Sequence, residues 1–195
     1  VLILPLKDKA KTIGGEEGKN KPGLYFYNVG RLEPIKIKLI EEIIEIIDRK
    51  SNYDNIIITG SFLDRGFKFN DIDILLLSEK KIDMERIERE IQELAGVKTH
   101  MLLLNNKALF YGLSTDPLYN MMLSKFISRK RVIFKVRRKI NYKLLDLNLL
   151  KSKTLIDNFG ILNGSEKYYL TMNMVSILLF LQSKKISRDI VDKEI

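Results

Sequence analysis

Two apolar runs, set apart by a polar loop, dominate the pattern of the chain. Ile56-Ile57-Ile58 is a β-branched run of the kind that forms a buried strand. It breaks at Gly60-Ser61, and after the loop Asp71-Ile72-Asp73-Ile74 opens a second apolar strand. Upstream, Leu39, Ile40, Ile43, Ile44 and Ile47 recur at helical spacing after Glu33-Pro34, while Lys36, Glu41, Glu42, Glu45 and Asp48 fall elsewhere. Proline is tolerated in a first helical turn, so a helix starts there and covers one face of the sheet. Met84, Ile87, Ile91 and Leu94 predict a second amphipathic helix over 83–95, stopped by Gly96. A third strand is expected over 97–104, which makes a mixed sheet with helices packed on it.

The ends of the chain read less sharply. Residues 1–4 form a candidate strand, and 7–23, rich in Lys, Gly and Glu without apolar periodicity, read as loop or disorder. Gly14-Gly15 and Gly18 lack the lysine-serine pair of a phosphate loop, which excludes that motif. Leu24-Tyr25-Phe26-Tyr27 reads as an edge strand or a docking segment. Thr115-Asp116-Pro117 predicts a helix start, with the helix over 118–127 and a short strand over 132–136. From Tyr142 onward the pattern is helical, with a break at Asn163-Gly164-Ser165, Ser165 as candidate cap, a long apolar helix over 166–182, and Ser187 as cap of a last short helix.

Composition narrows the class. A chain of 195 residues suits one domain with an appendage or two small domains. No apolar run reaches membrane-spanning length, and Lys7, Lys9 and Lys11 directly after the first apolar residues do not fit a cleavable signal. The absence of cysteine excludes disulfides and thiolate metal sites and makes a cytoplasmic setting the expectation, with no membrane partner. A formal charge of +9 favours a polyanionic partner, nucleic acid or a nucleoside triphosphate. Lys125, Arg129, Lys130, Arg131, Lys135, Arg137, Arg138, Lys139 and Lys143 form a block with no acid among them. That block reads as a nucleic-acid surface through Arg129, Lys130, Arg131, Arg137 and Arg138, as a contact for nucleotide phosphates or an acidic protein, or as a solvated face.

The candidate chemistry sits in the two central strands. Residues two apart in a strand share a face, so Asp71 and Asp73 project side by side with Ile72 opposite. Paired carboxylates near a core repel and lose hydration, and a hard cation such as Mg²⁺ offsets both costs. Gly60 at a strand end permits a sharp turn and a close backbone approach, and Ser61 offers a hydroxyl beside exposed N–H groups to an anion. Arg65 and Lys68, on the loop between the strands, are candidate phosphate contacts or simply solvated cations.

Gly60-Ser61, a spacer, and Asp71-x-Asp73 among apolar residues together resemble the signature of the polymerase-beta-type nucleotidyltransferase superfamily, most of all its minimal nucleotidyltransferase domains, over about 35–136. The resemblance implies an α/β (α+β) fold: a nucleotidyltransferase core of a small mixed sheet with flanking helices, followed by a C-terminal helical domain. The expected organisation is an N-terminal extension over 1–34, the core over 35–136 and the helical domain over 137–195. The implied activity is metal-dependent transfer of a nucleoside monophosphate from a triphosphate to an acceptor hydroxyl, with the phosphates on Gly60-Ser61 and Mg²⁺ or Mn²⁺ on Asp71 and Asp73. The acceptor stays open between RNA or another nucleic acid, a protein and a small molecule. Similar minimal domains act as antitoxins that adenylylate a helical toxin partner.

One position departs from that pattern. Active members carry a third carboxylate near the start of the third strand, and the best match here is His100, the lone histidine of the chain. His100 reads as a strand residue with a satisfied side chain, as a substitute for the acid through proton acceptance or through ligation of a softer metal such as Mn²⁺, or as the mark of a catalytically silent nucleotide- or RNA-binding module.

Overall fold

In the computed structural model, which describes residues 2–3, 23–133 and 135–195, the two apolar runs are neighbouring strands at the centre of a five-stranded mixed sheet. The elements in chain order are β1 (Leu2–Ile3), β2 (Tyr25–Tyr27), α1 (Pro34–Lys50), β3 (Asn55–Thr59), β4 (Asp71–Leu77), α2 (Met84–Ala95), β5 (Lys98–Leu104), α3 (Asn106–Thr115), α4 (Pro117–Met122), β6 (Phe126–Ser128), β7 (Lys135–Val136), α5 (Tyr142–Asp157), α6 (Gly164–Leu181) and α7 (Arg188–Glu194). The fold is α/β of the α+β kind, as the sequence implies. The chain forms two compact units, one of residues 23–109 with 125–133, the other of 110–124 with 135–195 and β1.

The first unit holds the sheet, ordered β2-β6-β3-β4-β5. β3 runs antiparallel to both β6 and β4, and all five of its residues are buried, as a central β-branched strand should be. β4 and β5 are parallel, joined through α2, whose Asp83 accepts from the Arg86 N–H at one end and whose Gly96 turns the chain with φ +65° at the other. Ile56 and Ile58 of β3 and Ile72, Ile74 and Leu76 of β4 share one core with Ile40, Ile43, Ile44 and Ile47 of α1 and Ile87 and Ile91 of α2. Strand alternation then sends Asp71 and Asp73 to the opposite face.

Two expectations are corrected within these elements. The helix expected over 118–127 ends at Met122, and Phe126–Ser128 is instead the strand β6, inserted between β2 and β3. All three of its residues are buried, and a short, fully buried apolar run carries no period that separates strand from helix. The helix start at Thr115-Asp116-Pro117 is as expected, with Asp116 capping α4 by accepting from the Leu118 N–H and Pro117 in the first position, while Thr115 also closes α3, which the pattern did not announce. The strand expected over 132–136 is reduced to β7, which pairs with β1 in a separate two-stranded ladder. Residues 7–22, read as loop, lie outside the described residues, as do positions 1 and 4 of the first candidate strand.

The second unit is mainly helical. α5 packs on α6, and α6 on α4 and α7. Gly112 lets the Tyr119 ring close on α3, since a Cβ there would meet the ring at 2.7 Å. The cap of α6 is Asn163, not Ser165: Asn163 Oδ1 accepts from the Glu166 N–H at 2.9 Å while Glu166 Oε2 accepts from the Asn163 N–H at 2.9 Å. Asn, three residues before a glutamate, closes this reciprocal box, and Ser165 lies inside the helix. Ser187 occupies the N-cap position of α7 without a side-chain bond to the helix.

Candidate functional site

Strand register assembles the site at one end of the sheet. β3 pairs with β4 through Thr59 opposite Asp73, and β5 pairs with β4 through Lys98 opposite Asp71 and His100 opposite Asp73. Asp71, Asp73 and His100 therefore stand on one face, at the end of β3 where Gly60 turns the chain. His100 Nδ1 lies 3.5 Å from Asp71 Oδ2 and 3.6 Å from Asp73 Oδ1. The three groups offer ligand atoms that all lie within 4.8 Å of one another.

Gly60 is pressed against this cluster. It adopts φ +86°, ψ −169°, a conformation open essentially to glycine alone, and a Cβ would sit 2.3 Å from Asp73 Oδ2. The glycine is thus required twice over, by its backbone and by its approach to a carboxylate. A short 3₁₀ turn, Ser61–Leu63, follows, in which the Leu63 N–H donates to the Gly60 carbonyl and the Asp64 N–H to that of Ser61. Burial, and secondly the neighbouring Asp71 charge, push the Asp73 carboxyl above the ordinary aspartate range, against the opposing pull of His100. A carboxylate so crowded has a physical reason to take up a cation.

The donor set fits a small divalent ion. Adjacent ligands of an octahedral ion at ~2.1 Å lie ~3.0 Å apart, so the two Nδ1-to-oxygen separations need to shrink by only ~0.5 Å. Two carboxylates suit Mg²⁺, whereas an imidazole nitrogen suits a first-row transition ion better. No third carboxylate faces the pair from β5, where Lys98 and His100 hold the matching positions.

The other expected residues are distributed unevenly. Ser61 begins the turn beside Asp73, and Arg65 and Lys68 are exposed on the loop between the two halves of the motif, without a side-chain partner among the described residues. The basic block is not one surface. The Thr59 hydroxyl donates to the Lys125 carbonyl at 2.9 Å, and the Lys125 ammonium pairs with Asp64, which puts Lys125 at the carboxylate end of β3. The Arg129 N–H donates to the Ile56 carbonyl, and Lys130 exchanges hydrogen bonds with the Asn55 side chain. At ~3.3 Å per residue, that end of β3 lies ~13 Å from Thr59.

There Arg129 pairs with Asp48 at 3.1 Å and is only 13% exposed, while the Lys130 ammonium lies 5.9 Å from the Tyr53 ring centroid. These residues, with Ser51 and Asn52, line a shallow cavity of about 270 Å³. Tyr53, half-buried and bonded to Asp48, has its hydroxyl pushed up to about 12. Arg131 is exposed in the same unit; Arg137 and Arg138 belong to the other. The Arg138 guanidinium is buried 5.1 Å from the Phe180 ring centroid, its three nitrogens without a hydrogen-bond partner, and burial pulls its pKa down. A guanidinium in that state is not presented to a nucleic-acid backbone.

Lys36 and Glu33 escaped the sequence reading. Lys36 is not on the solvent side of α1: its side chain is 2% exposed, and its ammonium donates to the Asp64 carbonyl at 2.6 Å. The available signal was its place one and two turns before Ile40 and Ile43, on the apolar stripe itself. Among the described residues, no helix is long and apolar enough to cross a membrane. No protein-family model, no curated protein and no solved structure matches this chain.

Proposed function

We propose that this protein is a metal-dependent nucleotidyltransferase of the polymerase-beta type, moving a nucleoside monophosphate from a nucleoside triphosphate to an acceptor hydroxyl. The observation that carries the reading is the convergence of Asp71, Asp73 and His100 within 4.8 Å, with Gly60 folded against Asp73. Asp71 and Asp73 would hold Mg²⁺ or Mn²⁺, with His100 Nδ1 as the third donor; the nitrogen makes Mn²⁺ the favoured ion. A cation bound there supplies stabilisation of the charge on the entering and leaving oxygens.

The chain's own residues do the rest. Gly60 keeps the backbone low enough for phosphate oxygens to approach, and the Ser61 hydroxyl donates to one of them. Arg65 and Lys68 are the cations nearest in sequence to receive the triphosphate tail. The acceptor oxygen bonds to the α-phosphorus in line, the bond to the bridging oxygen breaks, pyrophosphate leaves with that electron pair, and the hydroxyl proton passes to solvent. Exposed Leu147, Leu150, Ile156 and Ile161 on and after α5 favour a protein among the possible acceptors. Exposed Arg131 and the Lys130 end of the sheet keep RNA among them. A cytoplasmic setting belongs to the same proposal.

A second reading rests on β5, which faces the pair with His100 and Lys98 rather than with an acid. On that reading the protein binds triphosphate without turning it over. Calorimetric titration of ATP, GTP, CTP and UTP with Mg²⁺, Mn²⁺ and chelator tests both, on the wild type and on Asp71→Ala/Asp73→Ala. Metal-dependent binding that the double variant loses, followed by pyrophosphate release with an RNA or protein acceptor, supports transfer. Binding without pyrophosphate favours the silent module, and no binding with any metal overturns both.

A further inference from the structure

The loop that links the two halves of the motif is held from beneath by the buried Lys36 ammonium and the half-buried Glu33 carboxylate. Lys36 lies in the first turn of α1, where burial, the apolar stripe and the positive end of the helix all disfavour an ammonium. Its surroundings offset these costs. The ammonium donates to the Asp64 carbonyl at 2.6 Å and lies 3.4 Å from Glu33 Oε2. It also sits 5.5, 5.5 and 5.1 Å from the ring centroids of Phe62, Phe67 and Phe69, within the range of cation–π attraction. Phe62 and Phe69 meet edge to face at 5.0 Å. Glu33 Oε1 accepts from the Gly66 N–H at 2.6 Å, and a backbone bond to Gly66 holds its carboxyl below the ordinary glutamate range.

The residues so gripped are the immediate neighbours of the two exposed loop cations. Asp64 and Gly66 flank Arg65, the first held by Lys36 and the second by Glu33. Phe67 and Phe69 flank Lys68, and both rings face the Lys36 ammonium. Arg65 and Lys68 thus project from a backbone fixed on either side. Phe67 is 64% exposed, so its ring covers the ammonium without belonging to the core.

We propose that Lys36, with Glu33, is a positioning residue for the nucleotide: it fixes residues 64–69 so that Arg65 and Lys68 form a preorganised contact for the triphosphate. The inference rests on the nucleotidyl-transfer reading for the identity of the anion. It assigns Lys36 to triphosphate affinity and leaves cation binding at Asp71 and Asp73 to those carboxylates. When only a fraction of molecules holds the competent loop, apparent affinity falls by that fraction.

The test is Lys36→Met, which keeps the unbranched stem and removes the charge, measured on the full chain. Calorimetry gives the affinity for Mn²⁺ alone and for each nucleoside triphosphate with Mn²⁺, and amide hydrogen exchange reports on 62–70. Faster exchange across 64–69, a triphosphate Kd raised about 10-fold and an unchanged Mn²⁺ Kd are expected. Adding Arg65→Ala and Lys68→Ala to Lys36→Met should cost no more than the alanine pair alone, because both act through one contact. Should Lys36→Met fail to fold, Glu33→Gln, which keeps an acceptor oxygen for Gly66 but loses the charge facing Lys36, gives the same readouts at smaller size. An unchanged triphosphate Kd, or Mn²⁺ and triphosphate affinities falling together, overturns the positioning role while wild-type binding leaves the nucleotidyl-transfer reading standing. A wild type that binds no triphosphate overturns that reading, and this one with it.

Discussion

A methyl group added at Gly60 has nowhere to go: it meets Asp73 Oδ2 at 2.3 Å, and φ of +86° already excludes most side chains. Gly60→Ala is therefore expected to destabilise the protein by about 2–4 kcal/mol and to swing Asp73 out of line, with divalent-ion affinity falling in step; urea melts and Mn²⁺ titration check the two effects. Asp73 itself makes a pH-dependent prediction. Its carboxyl holds a proton more tightly in the folded than in the unfolded chain, so its contribution to stability is present below the ordinary aspartate value of 3.8 and is lost as pH rises through the raised folded value. In chelator-treated protein, Asp73→Asn should melt above the wild type at about pH 7 and lose that advantage at about pH 3. An advantage that persists unchanged at the lower pH would count against the crowding of Asp73 as its cause.

At the scale of elements, short capped pieces decide what long periodic ones cannot. α6 is apolar around much of its girth, so its start is fixed by the Asn163–Glu166 box and not by a stripe. Asn163→Ala should cost about 1 kcal/mol in chemical denaturation and Ser165→Ala close to none. β6 shows the same principle in reverse. Its three residues are a strand because β2 and β3 both offer edges to pair with, through Phe26 opposite Ile127 on one side and Ile58 opposite Ile127 on the other. The local run Phe126-Ile127-Ser128 states no preference of its own. α1, by contrast, was legible from its isoleucines, and only the burial of Lys36 on the same stripe required the fold.

For the whole molecule, the formal charge of +9 describes the partner less well than its distribution does. The block that reads as continuous in sequence places Lys125 at one end of β3 and Arg129 and Lys130 at the other, and buries the Arg138 guanidinium. Arg138→Met is expected to raise stability by ~1–3 kcal/mol, because a desolvated charge without a hydrogen-bond partner is exchanged for a side chain of similar length that still packs on Phe180, and, on the proposal that RNA is a partner, to leave RNA affinity and its salt dependence unchanged. On the same proposal, Lys130→Ala/Arg131→Ala should weaken RNA binding and reduce the slope of log K against log salt by about one to two. Filter binding across a salt series separates them. The sequence by itself determined the central strands, α1, α2, β5 and the pair Asp71 and Asp73 on one face, because these follow from periods of two and 3.6 acting on strongly apolar residues. Gly60 and Ser61 were legible too, since a strand-ending glycine is a local signal. Only the tertiary structure decided the rest. Parallel pairing of β4 with β5 brought His100 between the two carboxylates, insertion of β6 completed the sheet, and the loop of phenylalanines closed over Lys36. Each of these depends on what lies opposite a residue in space, and no period along the chain encodes that.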